Sequence, residues 1–202
     1  MNDVTRTLQA AVADLRDCGA SFAIVGGLAV GVRSEARMTR DVDIAVAVAD
    51  DAGAESLIRA LVQRGYRVRA LLEHETTGRL VTARLDPPGE NPAGVIVDLL
   101  LATTRIEGEI VRAAEPTTIA AGLVAPVATR AHLIAMKVLA MDDVRRPKDR
   151  VDLAALLGVA GPAERADARR ALELIHARGA AGSKDLLALF DALTCRTTDV
   201  AD

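Results

Sequence analysis

Aromatic side chains are almost missing from this chain: there is no Trp, one Tyr and two Phe among 202 residues. A binder that stacks unpaired bases on aromatic platforms is therefore excluded. Half of the residues are hydrophobic nonetheless, so a core has to be built from Ala, Val, Leu and Ile. Two cysteines, Cys18 and Cys195, are too few for a disulfide framework, and no paired Cys/His spacing points to zinc. No apolar run is long and uncharged enough to span a bilayer. Met1–Asp17 is polar and charged, unlike a secretory leader, so a cytoplasmic, reducing setting is the expectation. The net charge of −3 argues against strong non-specific nucleic-acid binding but leaves room for a local basic face.

What is present is concentrated in Phe22–Val46, FAIVGGLAVGVRSEARMTRDVDIAV. A hydrophobic run ends in Gly26-Gly27, a short helical stretch and an Arg/Thr-rich loop follow, and Asp41-Val42-Asp43 opens a second hydrophobic run. Residues i and i+2 of a strand point to the same face, so Asp41 and Asp43 project side by side. Carboxylates that close repel one another unless a cation separates them. Mg²⁺ suits the place, because it takes hard oxygen ligands and is usually shared with substrate phosphates. Glycines opening a helix beside it offer backbone N–H groups and a positive helix end to a triphosphate. Asp-x-Asp alone is a common pattern, equally readable as a solvated strand start. The glycine pair, with 13 residues between Gly27 and Asp41, makes the metal reading the stronger one.

Along the chain, period and punctuation predict a helix over 2–18, a strand over 22–25, a short helix over 27–33 and a strand over 41–48. A helix over 50–65 and strands over 66–71, 79–85 and 94–101 follow, the last two separated by the loop Asp86-Pro87-Pro88-Gly89-Glu90-Asn91-Pro92. A short helix is expected over 107–113, then a poorly defined connector to Pro126. Beyond it the pattern is helical: Thr129 to Met141, Lys148 to Leu157, Ala163 to Arg178 and Ser183 to Thr194. The expectation is a mixed α/β core over 1–126 and a helical subdomain over 127–202.

Several other residues draw attention. Asp98 interrupts the apolar run GVIVDLLL, where a charge is costly unless paired or metal-bound. It is either a functional acid or a strand-end residue with a local hydrogen bond. Lys137 lies in LIAMKVLAM, so its ammonium either snorkels to solvent or points into a polar cleft, where it would meet a triphosphate. Lys148, Asp149 and Asp152 fall near one face of a helix, though Asp near a helix start also simply complements the dipole. Arg145, Arg146, Lys148 and Arg150, with Arg33, Arg37 and Arg40, either line a groove for phosphates or form solvated faces. His74, His132 and His176 are scattered and read as structural or surface residues.

The glycine–Asp-x-Asp block resembles the nucleotidyltransferase superfamily that includes DNA polymerase beta. Gly26-Gly27-Leu28-Ala29, Arg37-Met38-Thr39-Arg40-Asp41-Val42-Asp43, Lys137 and Lys148-Asp149-Arg150-Val151-Asp152-Leu153 together resemble the AbiEii-like nucleotidyltransferase toxins, MenT-type toxins among them. The resemblance implies an α+β nucleotidyltransferase fold, a mixed sheet flanked by helices with an α-helical C-terminal half. It implies transfer of a nucleotide, often a pyrimidine, from an NTP to the 3′ acceptor end of tRNA, which blocks translation. Asp41, Asp43 and Asp98 would then hold Mg²⁺. Gly26, Gly27, Arg40, Lys137 and Lys148 would hold the NTP, and Asp152, or Asp149 in its place, would complete the site. Many relatives carry Ser where this chain has Gly27. A cognate antitoxin is implied, in some pairs a kinase-like one, and Thr39 is the hydroxyl that matches its target. Two rivals remain: an enzyme acting on a protein or small-molecule hydroxyl, and a non-catalytic nucleotide-binding module.

Overall fold

The structure is a computed structural model, and it describes residues 3–35, 39–75, 77–89, 91, 93–142 and 147–198. The elements run α1 (Asp3–Asp17), β1 (Phe22–Ile24), α2 (Gly26–Arg33), β2 (Val42–Val46), α3 (Asp51–Gln63), β3 (Arg67–Glu73) and β4 (Leu80–Asp86). They continue with β5 (Val97–Leu100), α4 (Glu107–Ala113), β6 (Glu115–Ala120), β7 (Leu123–Val127), α5 (Arg130–Ala140), α6 (Pro147–Val159), α7 (Pro162–Ala177) and α8 (Leu186–Thr198). The class is α+β, as expected from the sequence.

The strands form one mixed sheet in the order β3-β4-β5-β2-β1-β7-β6. β2 and β5 run parallel, with Asp43 opposite Asp98, and β1 runs antiparallel to β2. Ile24, Ile44, Leu85 and Leu99 are fully buried among α1, α3 and α4 residues such as Leu15, Leu61 and Ile110. The three aromatics, Phe22, Tyr66 and Phe190, are all buried, and the remaining core is aliphatic. The Tyr66 hydroxyl donates to Asp14 at 2.9 Å, tying the start of the β3–β4 hairpin to α1.

The connector expected before Pro126 is in fact a hairpin, β6–β7, with Pro116 opposite Pro126. Proline lacks the N–H that a ladder needs, so two prolines hid the strands from the pattern. β6 is an edge strand, where a missing donor is tolerated. The strand over 94–101 begins later, at Val97, because the Asn91 side chain takes the Val95 N–H and donates to its carbonyl. After Val127 the chain is helical. Thr129 caps α5 by accepting from the His132 N–H, as its position in the sequence indicated. α5 packs against α6, α7 and α8, and both α5 and α6 touch α2. That contact brings the helical bundle to the glycine turn.

Arg33 belongs to this framework and not to a phosphate groove. Its guanidinium donates to the carbonyls of Val127 and Ala128 at 3.0 Å each and pairs with Glu115 at 2.8 Å. Arg130 in turn donates to the Arg33 carbonyl and pairs with Glu164. The C-terminal carbonyls of α2 thus receive a cation, which suits the helix dipole. Arg37, Arg145 and Arg146 lie outside the described residues.

Candidate active site

Gly26 fixes the geometry of the acid pair. It takes φ +61°, which L side chains rarely adopt, and a Cβ placed there would lie 2.0 Å from Asp43 Oδ2. The first residue of α2 is therefore in contact with the Asp43 carboxylate, and only glycine permits that approach. The Val25 N–H donates to the Asp43 carbonyl at 3.0 Å, closing β1 against β2 at the same point. Val25, the N-cap of α2, offers no side-chain acceptor to the first turn. Of the N–H groups at the start of α2, that of Gly27 bonds to Asp43.

Asp41 sits exposed just before β2, and Asp43 is half-buried one pleat further on. The Asp43 carboxyl is pushed up to about 6, first by burial and then by the negative charges of Asp98 and Asp41. Lys137 and the Gly27 N–H act in the opposite direction without cancelling the rise. Asp43 thus feels two further carboxylates, Asp41 and Asp98, at the mouth of β2.

Lys137 reaches this place from α5. Its ammonium lies 2.6 Å from Asp149 Oδ1 and 2.7 Å from Asp152 Oδ2, both on the first turns of α6. The Asp152 side chain is 1% exposed and the Lys137 side chain 14%. Asp149 and Asp152, three residues apart, share the buried face of α6, while Lys148 turns to solvent.

A glycine turn at a helix start, an Asp pair at the mouth of the adjacent strand and a lysine supplied by a following helix are thereby assembled in one place. Residues 8–196 match the family described as nucleotidyl transferase AbiEii toxin, type IV toxin–antitoxin system. The chain belongs to this family. No curated protein sequence matches the chain. Among solved structures, it is similar to an antigenic nucleotidyltransferase-like protein from Paracoccidioides brasiliensis, with TM-score 0.54 and 18% identity over 94% of this chain and 93% of that one. It is also similar to the lincosamide antibiotic adenylyltransferase LnuA in its lincomycin-bound form, with TM-score 0.51 and 15% identity over 79% of this chain and 100% of that one. At such identities the likeness concerns the fold.

Arg84 is the site residue of this AbiEii chain that sequence reasoning missed. It stands on β4 opposite Asp98. Its guanidinium takes both Asp98 oxygens, Nε to Oδ1 at 2.9 Å and Nη2 to Oδ2 at 2.8 Å. A fork matched to a carboxylate is the strong form of this contact. The Arg84 side chain remains 43% exposed and also feels the charges of Asp41 and Asp43. Its signal in the sequence was an Arg among the mixed residues of LVTARLD, legible only once the register with Asp98 is known.

Of the remaining candidates, Arg40 is exposed beside Asp41. Thr39 is half-buried, and its hydroxyl donates to the Asp41 carbonyl at 3.4 Å. His132 is held by Thr129 on the far side of α5, and burial lowers its pKa.

The residues fit a divalent cation. The donor set is all carboxylate oxygen, as hard cations require, and the charges of Asp98 and Asp41 add to burial in raising Asp43. Among the described residues no three such groups form a ready-made cage. Mg²⁺ commonly takes one or two carboxylates and completes its shell with substrate phosphates and water. Among the described residues no helix is long and apolar enough to cross a membrane.

Proposed function

We propose that this toxin-family nucleotidyltransferase transfers a nucleotide, a pyrimidine in the first instance, from an NTP to the 3′ end of tRNA, and that Mg²⁺ supports the reaction. The observation that carries this reading is the contact of the Asp43 carboxylate with the Gly26 turn at the start of α2. It sets an acid pair and a row of helix N–H groups at one point, which is what a metal-bound triphosphate needs.

In this reading residues 1–126 are the catalytic core, and residues 127–202 complete the site by supplying Lys137. Asp41 and Asp43 are the metal ligands, with Asp98 as the third acid. When bound, Mg²⁺ neutralises triphosphate charge and stabilises the charge that develops on the transferring phosphoryl group. Gly26 and Gly27 cradle the phosphates with backbone N–H groups, and Arg40 and Lys148 approach from the solvent side. The Lys137 ammonium has three donors; Asp149 and Asp152 fix two, and the third meets the leaving pyrophosphate. The 3′-hydroxyl oxygen attacks the α-phosphorus, the α–β bridging P–O bond breaks, and pyrophosphate leaves with that oxygen. The hydroxyl proton passes to Asp98, whose oxygens Arg84 must first yield in part. Positioning and charge neutralisation supply most of the acceleration.

Silencing by the antitoxin is proposed to act at Thr39. A kinase-like antitoxin would place about two negative charges there, two residues from Asp41. That phosphate would compete for the cation and repel the NTP. A Thr39→Ala protein that the antitoxin still silences without a stable complex would count against this.

The decisive experiment labels the acceptor. Purified protein is incubated with Mg²⁺, total tRNA and each α-labelled NTP in turn, beside its Asp41→Ala variant. The expected result is a labelled tRNA band that disappears in the variant, with one NTP preferred. Label on a protein or small molecule would keep the chemistry and replace the acceptor. NTP binding with no label anywhere would favour a non-catalytic binding module.

A further inference from the structure

The charge pattern continues past the acids toward the open edge of the sheet. Register carries one face from Asp43 on β2 to Asp98 on β5, Arg84 on β4 and Ala70 on β3. Asp86 lies two residues beyond Arg84 and so shares its face. Arg69 pairs with Asp86 at 2.6 Å, and Arg67 lies 3.9 Å from it. Both arginines stay open to solvent, Arg69 at 47% and Arg67 at 79%. β3 is almost wholly exposed and forms the edge of the sheet. Arg69 falls where the register shifts between Val68 and Ala70. Such a bulge lets neighbouring side chains lean to one side and discourages edge-to-edge pairing with another strand.

Three guanidiniums thus line this face against two carboxylates: Arg84 holds Asp98, and Arg69 and Arg67, both open to solvent, share Asp86. Lys137 and the glycine turn occupy the opposite flank of the catalytic acids. If the triphosphate lies on that flank, the attacking hydroxyl has to arrive from the β4–β3 side. We propose that the face formed by Arg67, Arg69 and Arg84 is the track along which the phosphodiester backbone of the acceptor RNA enters the site. This rests on the proposed transfer to RNA and names where the RNA lies. Arg67 and Arg69 contact phosphates, and Arg84, shared between Asp98 and the strand, guides the terminal nucleotide. A guanidinium fork fits a phosphate as it fits a carboxylate. The acidic overall charge makes the placement decisive: a chain of net charge −3 binds RNA only where such a track is built.

The test measures transfer to total tRNA across a range of salt concentrations for the wild type, an Arg67→Ala/Arg69→Ala variant and an Arg67→Lys/Arg69→Lys variant. The alanine variant should raise the KM for tRNA about tenfold, with the salt dependence of log KM shallower by about 1.4, two phosphate contacts at about 0.7 each. The KM for the NTP should not move, which also reports an intact fold. The lysine variant should keep most of the wild-type affinity. If the double alanine variant also loses NTP binding, Arg67→Ala alone is measured, where about half the slope change is expected. Wild-type transfer to tRNA with an unchanged KM and slope in the alanine variants would overturn the track and leave the function standing. No transfer to RNA by the wild type would remove both.

Discussion

Two clusters of acids lie close together in this protein, and they are built in opposite ways. Asp149 and Asp152 share the Lys137 ammonium at 2.6 and 2.7 Å, all three side chains deeply buried between α5 and α6. Asp41 and Asp43 stand at the open mouth of β2, and among the described residues no cationic side chain forms an ion pair with either. In the first cluster the fold itself supplies a cation to both acids, which ties α5 to α6. The second is left unsatisfied, as the raised Asp43 carboxyl records. An acid whose charge the fold answers is a post, and an acid whose charge the fold leaves unanswered is a place for a ligand.

The largest effect should come from the open cluster. Asp41→Ala removes an exposed carboxylate that no helix packs against, so circular dichroism and thermal unfolding should stay near wild type. Transfer should nevertheless fall about a thousandfold or more, because charge stabilisation at the reacting phosphoryl group is lost. A variant that folds and keeps its activity would erase the distinction between the clusters.

The cluster around Lys137 should answer in the other currency. Asp152→Ala leaves the Lys137 ammonium with one partner in a nearly dry setting. Breaking a buried pair from one side destabilises by about 3–5 kcal/mol. Denaturant unfolding should show that loss in the absence of any nucleotide. Lys137→Met should destabilise as well, since it removes the ammonium that Asp149 and Asp152 share. An Asp152→Ala protein of unchanged stability would mean that the pair only orients Lys137 for a ligand.

Gly26→Ala tests the join between sheet and helix. The methyl group would meet Asp43 Oδ2 at 2.0 Å and Cβ at 2.6 Å, so rotating the carboxylate does not relieve the contact. A non-glycine residue at φ +61° adds about 1–2 kcal/mol of strain. Stability should fall by at least that amount, and NTP binding should weaken together with it. Gly122→Ala, also at positive φ but with nothing near its Cβ, should show the strain alone.

How much of this was readable beforehand differs between the clusters for a physical reason. Gly26-Gly27 and Asp41-x-Asp43 lie on consecutive elements, so the two-residue period of a strand and a short turn suffice to place them. Thr129 as an N-cap and the α+β class follow from equally local rules. Asp98 stood out because it was a charge in an apolar run. Arg84 did not, because its meaning depends on the β4–β5 register, which no local pattern specifies. Arg33 could be read only as a groove residue or a solvated one for the converse reason: its partners, Val127, Ala128 and Glu115, lie more than eighty residues away in sequence. The β6–β7 hairpin was missed because Pro116 and Pro126 read as breaks, although one sits on an edge strand.

The smallest effect, and the one that sharpens the contrast most, is the pH dependence of metal response. The Asp43 carboxyl is raised from an unfolded value of 3.8 to about 6 in the fold. Folding therefore favours the protonated form, and this group's contribution to stability is fully present below pH 4. It is lost as the pH rises through about 6, because the native state must then hold a buried charge beside Asp98 and Asp41. A divalent cation restores what the proton supplied and competes with it for the same oxygens. Mg²⁺ should consequently raise the melting temperature of the protein at pH 7.5 and do little at pH 5. Asp43→Asn should flatten both the pH dependence between 4 and 6 and the response to Mg²⁺, while Asp152→Asn should leave the Mg²⁺ response in place on a less stable protein. Equal shifts by Mg²⁺ at the two pH values would mean that the cation binds elsewhere, and the open cluster would then need another ligand to answer its charge.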